Sequence, residues 1–217
     1  MEFGLLFKTL NYLKSNVKLD VPFQSLTVDI AKEEINNLLA YITDPAVQHL
    51  LTPNIKGRAD FAESKYIRLA NGCINPEENT DANWAGLFWH LGLDNSIERM
   101  EFSRNVRDLI MPLATKMMAA LNNYNQRQYY THGVEINTLP SNTQIKSHID
   151  GHRLVEETTR VHLVLETNNE SYITCNGEKR HFDLGECFIF NNLMRHSVQN
   201  NGTSPRTHLV VDFLTLV

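Results

Sequence analysis

Ser171–Phe182 reads SYITCNGEKRHF, and this stretch decides the fold. Tyr, Ile and Thr favour an extended, pleated backbone. The Asn176-Gly177 pair that follows is the strongest short-range signal for a two-residue hairpin turn, because both central residues of such a turn need positive φ. Working outward, THGVEINTL (131–139), RVHLVLET (160–167), CFIFN (187–191) and THLVVDFLTL (207–216) are likewise β-branched or aromatic runs bounded by turn residues. About seven or eight short strands over roughly 85 residues predict a double-sheet jelly roll or small barrel.

The pattern before Thr131 is different. KEEINNLLAYI (Lys32–Ile42) repeats apolar residues at Ile35, Leu38, Leu39 and Ile42, a helical period. A longer helix is expected from about Ser103 to Tyr124. Its stripe is Val106, Leu109, Ile110, Leu113, Met117, Ala120, Leu121 and Tyr124, with Pro112 a kink candidate. Its methionines read as packing against a sheet, not as a soft binding surface. NPEENTDANWAGLFWHLGLDN reads as loop with apolar anchors, with Trp84 and Trp89 in the core. No repeat, low-complexity tract or linker divides the chain. The expected organisation is one catalytic domain over 1–217, of α+β class, with a mainly helical flank (1–130) buttressing a jelly-roll core (131–217).

Composition narrows the partners. With 42% hydrophobic and 21% charged residues among 217, the chain can bury a core. A net charge of −5 and no basic run longer than two residues argue against nucleic acid. Cys73, Cys175 and Cys187 are odd in number and lack CxxC spacing, so they read as reduced thiols of a cytoplasmic protein. MEFGLLFKTLNYLKSNVK carries no cleavage site and no span near 20 apolar residues. Neither a signal peptide nor a membrane helix is expected.

Two His-x-Asp triplets are the candidate metal-ligating pairs: His148-Ile149-Asp150 within KSHIDGHRL, and His181-Phe182-Asp183. Alternate residues of a strand share a face, so His148 and Asp150 can reach one point. Two nitrogens and a carboxylate on one face of a metal, with the other face open, is the arrangement of non-haem Fe(II) oxygenases. His196, opening a late strand in NNLMRHSVQN, is the third candidate. The rival pair lies directly behind the hairpin and before Gly185, a poor place from which to aim inward.

An oxygenase of this type needs a two-electron donor, usually 2-oxoglutarate, whose far carboxylate requires a buried cation. Arginine meets it with two parallel N–H bonds. Arg206 opens a strand ten positions after His196 (206 − 196 = 10). Arg160, His162 and Val164 share one strand face, and Val161, Leu163 and Leu165 the other. An inward arginine and histidine are expensive to bury without a ligand, and a dicarboxylate beside a metal would satisfy both.

RVHLVLETN, GECFIFNNLMRHSV and SPRTHLVVDF resemble the aspartyl/asparaginyl β-hydroxylase family of Fe(II)/2-oxoglutarate-dependent dioxygenases. The spacing from His148 to Arg160 (160 − 148 = 12) and the phrase RVHLVLETN are most similar to its cis-4-proline hydroxylase branch. The resemblance spans about Thr131 to Phe213. It implies a double-stranded β-helix (jelly-roll, cupin-like) core, Fe(II) held by the catalytic set His148, Asp150 and His196, and O2 and 2-oxoglutarate as co-reactants. It also implies Arg206 on the distal carboxylate, with Arg160 and His162 near the other end. Asn137 stands where some relatives place a small hydroxyl residue. Some relatives lack the carboxylate ligand; Asp150 is present here, which favours hydroxylation over halogenation.

The expected reaction is hydroxylation of a C–H bond of a free amino acid or of an aspartyl or asparaginyl residue, with release of succinate and CO2. The alternative is a non-catalytic cupin-like module that binds a metal or small molecule. Two inward arginines spaced for a diacid argue against it. His152 and Arg153 read as solvated loop residues, His208 as a neighbour of Arg206, and His132 and His90 carry no signal. Substrate selection is expected from the first half, including Tyr66, Arg68 and the Trp84–Trp89 segment.

Overall fold

A computed structural model describes residues 19–47, 65–74, 97–150 and 158–215. The elements in chain order are β1 (Phe23–Leu26), α1 (Lys32–Thr43), β2 (Lys65–Ile74), α2 (Ile97–Asn125), β3 (Tyr129–Leu139), β4 (Thr143–His148), β5 (Thr159–Glu166), β6 (Ser171–Cys175), β7 (Glu178–Arg180), β8 (Cys187–Phe190), β9 (His196–Asn200) and β10 (Arg206–Thr215). The ten strands among the described residues form two antiparallel sheets. One has six strands in the order β1-β8-β5-β10-β3-β2, and the other has four in the order β4-β9-β6-β7.

The central strands of the larger sheet are buried on both faces, which is why they read as near-continuous apolar runs. From β5, Val161, Leu163 and Leu165 join Leu209, Val211 and Phe213 of β10 in a core that the helices cover. Val164 and, from β8, Phe188 and Phe190 face the other way, against Ile145, Ile173 and Val198 of the smaller sheet. Each fully buried aliphatic side chain contributes about 1.5–3 kcal/mol.

Both predicted helices form. α1 is pinned at its start by the Ala31 N–H donating to the Glu34 carboxylate at 2.9 Å. It is tied to α2 by Lys116 Nζ on Glu34 Oε2 at 2.6 Å. In α2 the expected stripe is the buried one, with Val106, Ile110, Leu113, Met117 and Leu121 fully enclosed. The helix runs on through Pro112, while Tyr124, at the stripe's end, lies on the surface. The predicted hairpin also forms: Asn176 (φ 48°) and Gly177 (φ 84°) link β6 to β7.

Besides the two helices, the described residues of the first 130 supply both end strands of the larger sheet, which were not foreseen from the sequence. β1 pairs with β8, and β2 with β3. β1 has only four residues. β2 contains Asn71-Gly72, which local rules read as a turn, and its pairing with β3 shifts register around that pair. Trp84, Trp89, His90, His152 and Arg153 lie outside the described residues, as do the side chains of Tyr66, Arg68 and Cys73 on β2. No helix among the described residues is long and apolar enough to cross a membrane.

Candidate active site

One register shift assembles the first cluster. β4 and β9 pair with Ile145 opposite Val198, and an unbroken antiparallel register would set His148 opposite Arg195. The shift between Ile145 and His148 sets it opposite His196 instead. The two imidazole rings then lie 4.3 Å apart, centre to centre. Asp150 is not on the strand, which ends at His148, so strand alternation does not aim it. Its backbone N–H donates to Asn192 O at 3.1 Å. That bond turns the carboxylate back towards the histidines, with Oδ1 at 3.4 Å from His148 Nε2 and 3.9 Å from His196 Nε2. Ligand atoms of all three residues lie within 4.8 Å of one another.

The outer contacts dictate what these groups can do. His148 Nδ1 lies 2.7 Å from Lys146 O, and His196 Nδ1 lies 2.9 Å from Met194 O. A carbonyl only accepts, so each Nδ1 carries a proton, and in its neutral form each ring turns the Nε2 lone pair towards the centre of the cluster. Asp150 offers Oδ1 there, while Oδ2 accepts from Asn192 Nδ2 at 3.1 Å and from Arg160 Nη1 at 3.2 Å. Burial opposes ionisation of Asp150, but His148, the Arg160 guanidinium, His196 and the Asn192 amide outweigh it and hold its pKa far below the usual carboxylate range. Burial lowers the pKa of His196, which favours the neutral imidazole. Two imidazole lone pairs and one carboxylate oxygen on one side of a point suit a divalent iron.

A second cluster lies further into the space between the sheets. Arg206, at the start of β10, is 3% exposed, and its guanidinium donates to His208 Nδ1 at 2.9 Å. No carboxylate among the described residues pairs with it, and burial pulls its pKa down to about 9. His162 stacks on Phe188 and meets His208 edge-on at 5.7 Å. Both its ring nitrogens and Asn137 Oδ1 are buried without a hydrogen-bond partner. Burial, then the charge of Arg206, keeps His208 and His162 neutral, well below the ordinary histidine value. Phe190 bridges the clusters, its ring 5.0 Å from both His162 and His196. A buried cation beside unsatisfied polar atoms suits a small dicarboxylate.

Arg160 sits between the two clusters and is more committed than its sequence context implies. Besides Asp150 it binds Asp212 through two parallel bonds, Nε to Oδ1 at 2.7 Å and Nη2 to Oδ2 at 2.9 Å. Among the described residues, three of its five N–H groups have partners. Asp212 and Asn192 were not foreseen. Asp212 is marked only by the pairing of β5 with β10, which sets it opposite Arg160. The rival triplet stays apart: His181 Nδ1 lies 2.9 Å from Ser171 O, and Nε2 lies 3.2 Å from the exposed Asp183.

The comparisons with known proteins agree with this picture. Residues 74–215 match the family described as Aspartyl/Asparaginyl beta-hydroxylase. The chain is 32% identical over 122 residues to an L-proline cis-4-hydroxylase of Rhizobium meliloti (strain 1021), a match covering 54% of this chain and 42% of that protein. The chain thus spans less than half of that relative's length. Among solved structures, a 2OG-Fe(II) oxygenase family protein from Burkholderia pseudomallei superposes with TM-score 0.54 at 13% identity, over 99% of this chain and 90% of the other. A prolyl-4-hydroxylase from Pseudomonas putida superposes with TM-score 0.51 at 11% identity, over 97% of each chain. At such identities the likeness is one of fold. The family match, in contrast, takes in every residue of both clusters, and the chain belongs to the aspartyl/asparaginyl β-hydroxylase family.

Proposed function

We propose that this chain is an Fe(II)/2-oxoglutarate-dependent hydroxylase. Its eight strands β3–β10 are read as a double-stranded β-helix and the helices as its buttress, in one catalytic domain over 1–217. The observation that carries the reading is the convergence of His148, Asp150 and His196, with both Nε2 atoms facing one carboxylate oxygen. Iron with 2-oxoglutarate and O2 would supply the oxidising chemistry, in which the keto acid becomes succinate and CO2 and one oxygen atom enters a substrate C–H bond. The protein supplies position and dryness. His148, Asp150 and His196 would hold the metal through two imidazole nitrogens and one carboxylate oxygen. Arg206 would take the far carboxylate of 2-oxoglutarate. His162 and Arg160 would lie near its other end, and neutral imidazoles keep the pocket's charge on the arginines.

The substrate proposed is a small free amino acid or a short peptide bearing an aspartyl or asparaginyl residue. The relative named for L-proline supports the first form, and the reduced, buried Cys175 and Cys187 accord with a cytoplasmic setting. The test is succinate formation from 2-oxoglutarate with Fe(II), across a panel of amino acids and short peptides, with product mass as the second readout. A substrate-dependent rise in succinate together with a product 16 mass units heavier is the expected result, since one oxygen atom is added. Protein that binds the metal but neither binds nor consumes 2-oxoglutarate would replace this reading with a non-catalytic binding module.

A further inference from the structure

We propose that Asp212 is a positioning residue for the metal centre: through Arg160 it fixes Asp150 as a ligand that offers a single oxygen. The inference rests on the metal reading above and goes beyond the ligand set.

Asp212 faces Arg160 directly across the β5–β10 pairing. Its carboxylate takes Nε and Nη2 in the two-bond geometry that leaves a guanidinium no rotational freedom. The third nitrogen, Nη1, is thereby aimed at Asp150 Oδ2 at 3.2 Å. Asn192 holds the same oxygen from another side at 3.1 Å, and its carbonyl also takes the Asp150 backbone N–H. Oδ2 is therefore occupied by two donors and Oδ1 alone faces His148 and His196. A carboxylate free to rotate could offer both oxygens and occupy a coordination position that the cosubstrate needs. Asp150 lies beyond the end of β4; its backbone bond to Asn192 turns the side chain inward, and the Arg160 and Asn192 side chains then set which oxygen faces the histidines. Glu135 adds a further negative charge near Arg160, but the direct contact to Asp150 runs from Asp212 through the guanidinium.

The experiment is an anaerobic Co(II) titration of the full chain, followed by the absorption of the bound ion. Asp212→Asn keeps the size of the side chain but leaves one acceptor of the two, so it removes both the charge and one of the paired bonds that pin the arginine. The dissociation constant for Co(II) is expected to rise about tenfold, the lower range for partners that orient a metal ligand. In an Asp150→Ala background the same change should move it less than about twofold, since the ligand it acts through is gone. A through-space charge effect, or a general loosening of the fold, would weaken both backgrounds equally and overturn the proposal. Asp212→Glu, which keeps the charge but displaces the two-bond geometry on Arg160, gives the same comparison in both backgrounds should the Asn variant fail to fold. Wild-type protein that takes up no Co(II) overturns the metal reading and this one together. Wild-type protein that binds it, with Asp212→Asn binding equally well, overturns this one alone.

Discussion

Around Asp150 the chain supplies its own partners, and around Arg206 it does not. Asp150 receives Arg160, Asn192 and His148, and each histidine beside it is anchored through Nδ1 to a carbonyl of its own strand region. Arg206 is more deeply buried, yet among the described residues its guanidinium meets only His208. Nearby, Asn137 Oδ1 and both nitrogens of His162 have no partner. Burying a cation without a counter-charge costs several kcal/mol. The difference separates two ways of preparing a site. On the function proposed above, the metal end is pre-organised, so that a cation would arrive into finished geometry. The arginine end would be completed by a dianion, which would repay the cost of the buried charge.

The largest effect is expected at the finished end. His196→Ala removes one of three ligands, and iron-dependent turnover should disappear along with Co(II) uptake at micromolar metal. The arginine end should respond differently. Arg206→Ala should weaken 2-oxoglutarate binding about a hundredfold, the cost of stranding a buried charged partner, while Co(II) affinity stays within about twofold. Arg206→Met carries the contrast further. Without cosubstrate it should melt about 5 °C higher than wild type, because an uncompensated cation has been replaced by packing. An Arg206→Met protein that melts lower would show that the guanidinium is already paired, and the comparison would collapse.

A pH dependence of stability follows from the same incompleteness. His162 and His208 are held neutral in the fold by burial and by Arg206, so their folded pKa values are depressed. The unfolded chain protonates them near the ordinary value of about 6.5 and the folded chain does not. Protons then favour the unfolded state, so stability is full above that pH and falls below it. By pH 5.5 the loss should be about 1 kcal/mol for each imidazole. Urea midpoints measured between pH 7.5 and 5.5 check it. His162→Phe, which keeps the stack on Phe188, should remove its share of the slope.

What was legible in the sequence divides along local and non-local lines. The central strands announce themselves because both faces are apolar, and the hairpin because Asn176 and Gly177 carry their own positive φ. β1 and β2 do not, since their strand character comes from pairing with β8 and β3 and not from their own residues. The histidines and arginines could be named from type and spacing. Their supports could not. Asp212 reaches Arg160 only through cross-strand register. Strand alternation offered a reason for grouping His148 with Asp150, but the structure shows another: a single register shift and a backbone bond to Asn192.

The smallest effect tests how a His-x-Asp triplet acquires meaning. His181 and Asp183 have the same spacing as His148 and Asp150, yet they follow a hairpin, meet each other at 3.2 Å, and have no second imidazole opposite among the described residues. His181→Ala should leave Co(II) affinity and 2-oxoglutarate turnover unchanged. It should cost under about 1 kcal/mol of stability, as loss of a hydrogen bond to an exposed partner does. A marked loss of metal binding in this variant would mean that the second triplet takes part in the centre. The register shift that brings His148 opposite His196 would then no longer be what distinguishes the two.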